Sequence, residues 1–198
     1  EGGSGLRMAG TYLTLGMEHI LLGIDHLLFV LGLLLLAKGL GPLVKTITAF
    51  TLAHSFTLGA SVLGYIPIHR GAIEAAIALS IVLLAREIVV GARGFVHLTH
   101  RQPWLVAFVF GLLHGLGFAG ALGEIGLPES AIPLALLFFN LGVEAGQLLF
   151  VLAVLGVYSL MRANTRLSAP KFEPLVGYAL GALATLWFFG RLPAIWGA

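Results

Sequence analysis

His19, Asp25 and His26 stand in the segment 16–29, GMEHILLGIDHLLF, spaced H-x5-D-H among Leu, Ile, Val and Phe. Ionisable groups in apolar runs of membrane length are costly and occur where they line a cavity, pair with each other or hold an ion. Imidazole with carboxylate suits nickel, cobalt, zinc or ferrous iron. The chain has no cysteine. That excludes thiolate metal sites, disulfides, iron–sulfur clusters and cysteine nucleophiles.

Other segments carry polar groups to similar depth. KTITAFTLAHSFTLGAS holds Thr48, Thr51, His54 and Thr57 at i, i+3 spacing, with Ser55 beside His54. FGLLHGLGFAG holds His114, and FFNLGVEAGQLLF holds Asn140, Glu144 and Gln147 at i, i+4, i+7 on one helix face. The candidate metal ligands are His19, Asp25, His26, His54, His114 and Glu144. Glu18, Ser55, Glu74, Glu87, Asn140 and Gln147 are candidates for a supporting or pathway role. On one straight helix His19 and His26 share a face but lie about 10 Å apart. That separation favours two stacked stations on a path over one tight site. Asp25 and His26 diverge by about 100° around the axis, so one ligates while the other turns to a neighbouring helix. His97 and His100 form a weak loop pair, and His69 reads as an ordinary loop residue.

The elements that position these groups follow from composition. The chain is 59% hydrophobic and 10% charged, with a mean hydropathy of +1.01. A soluble domain has about 25% charged residues, so lipid is the solvent here. A span needs about 20 apolar residues, and six runs qualify: 12–37, 43–63, 72–91, 104–122, 131–161 and 175–196. The expected fold is all-α, a polytopic membrane bundle of six transmembrane helices in one domain, residues 1–198, with residues 1–9 as a flexible lead-in. The chain begins at Glu1 rather than Met, so an outer domain or signal peptide removed from a longer product fits. The loops after runs one, three and five hold Lys38, Lys45, Arg93, Arg101, Arg162, Arg166 and Lys171. The other side holds Arg7, Arg70 and Arg191 with the acidic Glu124 and Glu129. This imbalance makes the first set cytoplasmic and places both termini outside. A net charge of +2, carried in short loops, gives no sign of nucleic-acid binding. Gly111-x3-Gly115 and Gly177-x3-Gly181 have the spacing of close helix packing in lipid. The sixth run, with only Tyr178 and Thr185 before Arg191, is scaffold or a contact for another copy.

Four segments in order, HILLGIDH, TAFTLAHSFTL, FGLLHGLGFAG and FNLGVEAGQ, resemble the HupE/UreJ family of bacterial membrane proteins. The resemblance runs from about Gly16 to Leu160. It implies a nickel or cobalt permease of the inner membrane, associated with hydrogenase and urease maturation. A similar His–Asp–His signature occurs in the nickel/cobalt transporter family. The resemblance puts His19, Asp25 and His26 at the signature positions and His114 in the glycine-rich motif. Ile20 stands where better-known members often have proline.

The leading expectation is therefore a multi-pass permease for nickel or cobalt, whose partners are the bilayer and the ion. The ion would enter near Glu18, His19 and Glu74, shed water onto the mid-membrane centre and leave past Glu87. An intramembrane zinc hydrolase using the same cluster is the alternative, although neither H-E-x-x-H nor G-x-S-G is present. The third option is a metal-handling subunit working with an accessory protein or a second copy.

Overall fold

The computed structural model describes residues 2–66, 69–95, 97–123, 131–164 and 169–196. Among them there is no strand. Backbone N–H and C=O groups in lipid must be satisfied within the segment, which helices do. The helices are α1 (Gly2–Leu22), α2 (Ile24–Leu36), α3 (Leu40–Val62), α4 (Arg70–Ala92), α5 (Leu98–Arg101), α6 (Pro103–Gly123), α7 (Ile132–Asn164) and α8 (Ala169–Arg191). A 3-10 turn, Pro193–Ile195, follows α8. Each apolar run of the sequence thus coincides with helix.

The first run departs from expectation. It is two helices, α1 and α2, bent by 76° at Gly23. Gly23 leaves helical geometry at φ −77°, ψ 89°. Glycine costs about 1 kcal/mol in a helix interior, so it is the natural place for this run to break. The backbone groups of Gly23 itself stay paired: its N–H donates to His19 O at 3.0 Å, and its O accepts from the Leu27 N–H at 3.0 Å. A side chain at 23 would have its Cβ 2.8 Å from His19 O and 2.9 Å from His26 Nδ1. The turn is filled, and glycine is the residue that fits it.

Residues 2–9, expected as a lead-in, form the opening turns of α1. Glu124, Glu129 and Arg166, used in the charge balance, lie outside the described residues.

The helices pack in three close pairs: α3 with α6, α1 with α7 and α4 with α8. Lipid tails are as apolar as leucine, so small residues that let backbones approach must drive such pairing. Gly111 and Gly115 of α6 lie against Phe50 O and His54 O of α3. Gly16 of α1 meets Phe139 O of α7, and Gly142 of α7 meets Leu13 O of α1. Gly177 of α8 sits under Ile88 and Val89 of α4, with Gly181 against Ala85. Both spaced glycine pairs therefore serve close packing, as expected.

The short α2 runs between these pairs, touching α3, α4, α6, α7 and α8. Its Phe29, Leu33 and Leu36 join Phe50, Ile81, Leu84, Ile88 and Leu180 in the largest apolar cluster. A second cluster, Tyr12, Ile20, Leu58, Phe139 and Val143, joins α1, α3 and α7.

By length and composition, Arg70–Ala92, Ile132–Arg162 and Phe172–Ile195 can cross a membrane, and the bent α1–α2 pair makes a fourth candidate. In α6, Pro103–Gly117 is a further apolar stretch. α3 falls short because it carries Lys45, His54 and Thr46, Thr48, Thr51 and Thr57. Its hydroxyls turn inward instead, and Thr46, Thr51 and Thr57 are buried.

Candidate metal centre

The bend at Gly23 decides the geometry of the polar centre. It brings the last turn of α1 back onto the first turn of α2. The His19 and His26 rings lie 4.8 Å apart, edge to face. His54 of α3 completes the group, with ring centroids 6.0 Å from His19 and 6.2 Å from His26. One ring nitrogen from each of the three lies within 4.8 Å of the others. The two-station expectation assumed a straight helix, and the bend overturns it: His19 and His26 belong to one site. Two nitrogens on one ion, each at about 2.1 Å, can be no more than about 4.2 Å apart. The trio is thus slightly open, and a shift of several tenths of an ångström would bring its nitrogens to the spacing an ion requires.

Neighbouring groups fix which nitrogen each histidine offers. Asp25 Oδ1 accepts from the His26 Nδ1–H at 3.2 Å and from the His26 backbone N–H at 3.0 Å. The lone pair of His26 is left on Nε2, which is buried with no hydrogen-bond partner among the described residues. Asn140 Nδ2 donates to Leu136 O at 2.8 Å, which turns its Oδ1 toward His54. Oδ1 can only accept, so His54 Nδ1, 3.2 Å away, carries the proton. His54 Nε2 is likewise buried and open. A ligating histidine usually gives its other N–H to such an acceptor, which fixes the tautomer and the ring orientation. Asp25 and Asn140 do this here. Of Asp25 and His26, the imidazole is the group with a buried nitrogen left open, while Asp25 Oδ1 is taken up by His26.

His114 stands beside the trio, its ring 4.9 Å from that of His26. Ser80 Oγ spends its proton on Ile77 O at 2.6 Å, so it accepts from the His114 Nε2–H at 3.2 Å. The open nitrogen of His114 is therefore Nδ1, also buried and without a partner among the described residues. His114 is outside the closest trio and packs against it through the His26 ring.

Aromatic rings wall the centre. Phe29, Phe50 and Phe139 are fully buried. Phe139 packs on His19, Phe29 on His114, and Phe50 on both His54 and His114. They exclude water and raise the cost of leaving the open nitrogens empty.

The remaining candidates fall elsewhere. Glu144 Oε1 accepts from Thr48 Oγ1 at 2.6 Å, outside the histidine trio. Gln147 Oε1 accepts from Thr51 Oγ1 at 3.0 Å. The α7 stripe therefore grips α3, and only Asn140 reaches a clustered histidine. Ser55 Oγ donates to Thr51 O on its own helix at 2.6 Å. Glu18 is exposed on α1. Glu74 faces Arg191, with Oε2 3.7 Å from its Nε. Glu87 lies toward the opposite end of α4, where it pairs with Arg86 and accepts from Thr99 Oγ1 at 3.1 Å, with His97 Nδ1 also 3.1 Å from its Oε2. Sequence reasoning missed Ser80 as the partner of His114, the three phenylalanines as walls and Arg191 as the partner of Asp25. Gly23, standing between His19 and Asp25-His26, was the available signal for the bend.

Apolar helices of membrane length around a buried imidazole cluster define a helical membrane protein with a histidine group that could hold a metal ion. The family described as HupE / UreJ protein matches residues 3–191, and the chain belongs to that family. No curated protein and no solved structure matches it.

Proposed function

We propose that this chain is a permease for a divalent transition metal, with nickel or cobalt as cargo, in the bacterial inner membrane. The observation that carries it is the break at Gly23, which gathers His19, His26 and His54 within 4.8 Å at a helix discontinuity. Broken helices whose ends face an ion are how transporters build binding sites inside the bilayer. Membership of the HupE/UreJ family supports the same cargo. In this reading the chain crosses the membrane six times, α1 and α2 acting as one broken span, with both termini outside. Lys38, Arg93, Arg101 and Arg162 then lie on the cytoplasmic side.

The ion meets three neutral imidazoles held by Asp25 and Asn140, with His114 and water completing its shell. Imidazole without a directly ligating carboxylate suits cargo: it binds well enough to strip hydration and weakly enough to release. Metal and proton compete for the same lone pairs, so binding weakens as pH falls. Between the centre and Glu87 lies the apolar cluster of Phe29, Leu33, Phe50 and Leu84. It closes the inner route in this state, and release toward Glu87 and His97 requires α2 to swing about Gly23. The hydrolase alternative draws no support from Ser55, whose proton goes to Thr51 O.

Cells expressing the chain should accumulate more radioactive nickel or cobalt than vector controls, and ionophore-free vesicles containing the purified protein should do the same. Equal accumulation in both pairs would remove the permease reading.

A further inference from the structure

Arg191 ends α8, and its guanidinium reaches over the mouth of the histidine centre. NH2 lies 3.5 Å from Asp25 Oδ2, Nε lies 3.7 Å from Glu74 Oε2, and NH1 donates to Glu74 O at 3.2 Å. The other oxygen of Asp25 holds His26. One carboxylate thus links a candidate ligand to a cation on another helix. We propose that Arg191 is the counter-cation of this site, neutralising Asp25 and Glu74 and competing with an incoming metal ion for their charge. This rests on the permease reading and adds to it a residue that sets affinity.

Three observations support it. First, the pair with Asp25 is half-sheltered, with side chains 26% and 22% exposed. A carboxylate there needs a partner, because an uncompensated charge at membrane depth is expensive. Second, the contacts are long. A committed Arg–carboxylate fork sits at about 2.7–2.9 Å, whereas 3.5 and 3.7 Å describe a pair that exchanges partners readily. Third, the backbone under Arg191 is anchored and its side chain has a second aromatic resting place within reach. The 3-10 turn Pro193–Ile195 packs on the start of α4, where Gly71 leaves room for the backbone of Ala194. The guanidinium also rests 5.6 Å from the Trp187 ring, a second place for the cation when a metal holds Asp25.

A dication entering the trio adds two positive charges beside Asp25. Arg191 and the metal then repel each other and share one carboxylate, which is negative coupling between two cation sites. Removing Arg191 should therefore tighten metal binding rather than loosen it. A purely structural arginine would do the opposite.

Calorimetric titration of the purified protein in detergent with cobalt chloride separates these cases. Arg191→Gln and Arg191→Met should each bind cobalt about tenfold more tightly, within the usual range of coupling between sites. Arg191→Lys, which keeps the charge, should stay close to wild type. The melting temperature should rise more on adding cobalt in Arg191→Gln than in wild type, because the metal-free variant leaves Asp25 without its arginine counter-charge. Wild-type binding with equal or weaker binding in both neutral variants overturns this proposal alone. No cobalt binding by wild type overturns it together with the permease reading.

Discussion

Replacing His26 with alanine should weaken cobalt or nickel binding by more than about 100-fold, beyond the range seen when only an outer partner of a ligand is lost. His26 is the hinge of the centre. It stands in the first turn of α2, takes its tautomer from Asp25 and is edge to face with both His19 and His114. Its removal takes away a nitrogen and also the ring that spaces the other two. Asn140→Ala should cost less, about 10–100-fold, because His54 stays but loses the acceptor that fixes its tautomer. Equilibrium dialysis against cobalt measures both, with circular dichroism showing that the helices persist. Two unchanged affinities would contradict a site at this trio.

Gly115→Ala should be among the most damaging single-methyl changes in the chain. A Cβ there would lie far inside contact distance of His54 O and Thr57 Oγ1. The first is backbone of the facing helix and cannot rotate away. α3 and α6 would have to separate, at the upper end of the roughly 1–3 kcal/mol typical of overpacking. His114 precedes this glycine, so its ring would leave the centre as well. Gly181→Ala is the control. Its Cβ would meet Ala85 Cβ at 3.4 Å, an ordinary contact. There the helix propensity of alanine adds back up to about 1 kcal/mol. Thermal denaturation in detergent should show a large drop for Gly115→Ala and none for Gly181→Ala. Similar drops would mean that glycine spacing, not the α3–α6 approach, matters.

Much of this was legible in the sequence. The apolar runs gave the helices, because length and hydropathy are strong signals when lipid is the solvent. Histidines at matching depth in separate runs indicated a shared centre, and Asn140 was placed beside it from its helix face. The bend was not legible as such. Periodicity assumes a straight axis, and on that assumption His19 and His26 sit at two levels. Gly23 carries the information, but it is one of three glycines in that run, with Gly16 and Gly32, and none of them states an angle. Glu144 was expected at the ion because carboxylates commonly ligate. The structure has it accept from Thr48 on the facing helix, a choice set by rotation of α7 that composition cannot show. Arg191 was counted as a loop charge. Its meeting with Asp25, 166 residues away in sequence, depends on tertiary packing alone.

The position of the bound ion is the most direct test of the proposed centre. Crystals of the protein grown with cobalt, measured at the cobalt absorption edge, should give one strong anomalous peak enclosed by His19, His26 and His54, with Asp25 and Asn140 behind two of the rings. A peak at Glu87 and His97, or none at the histidine trio, would contradict it.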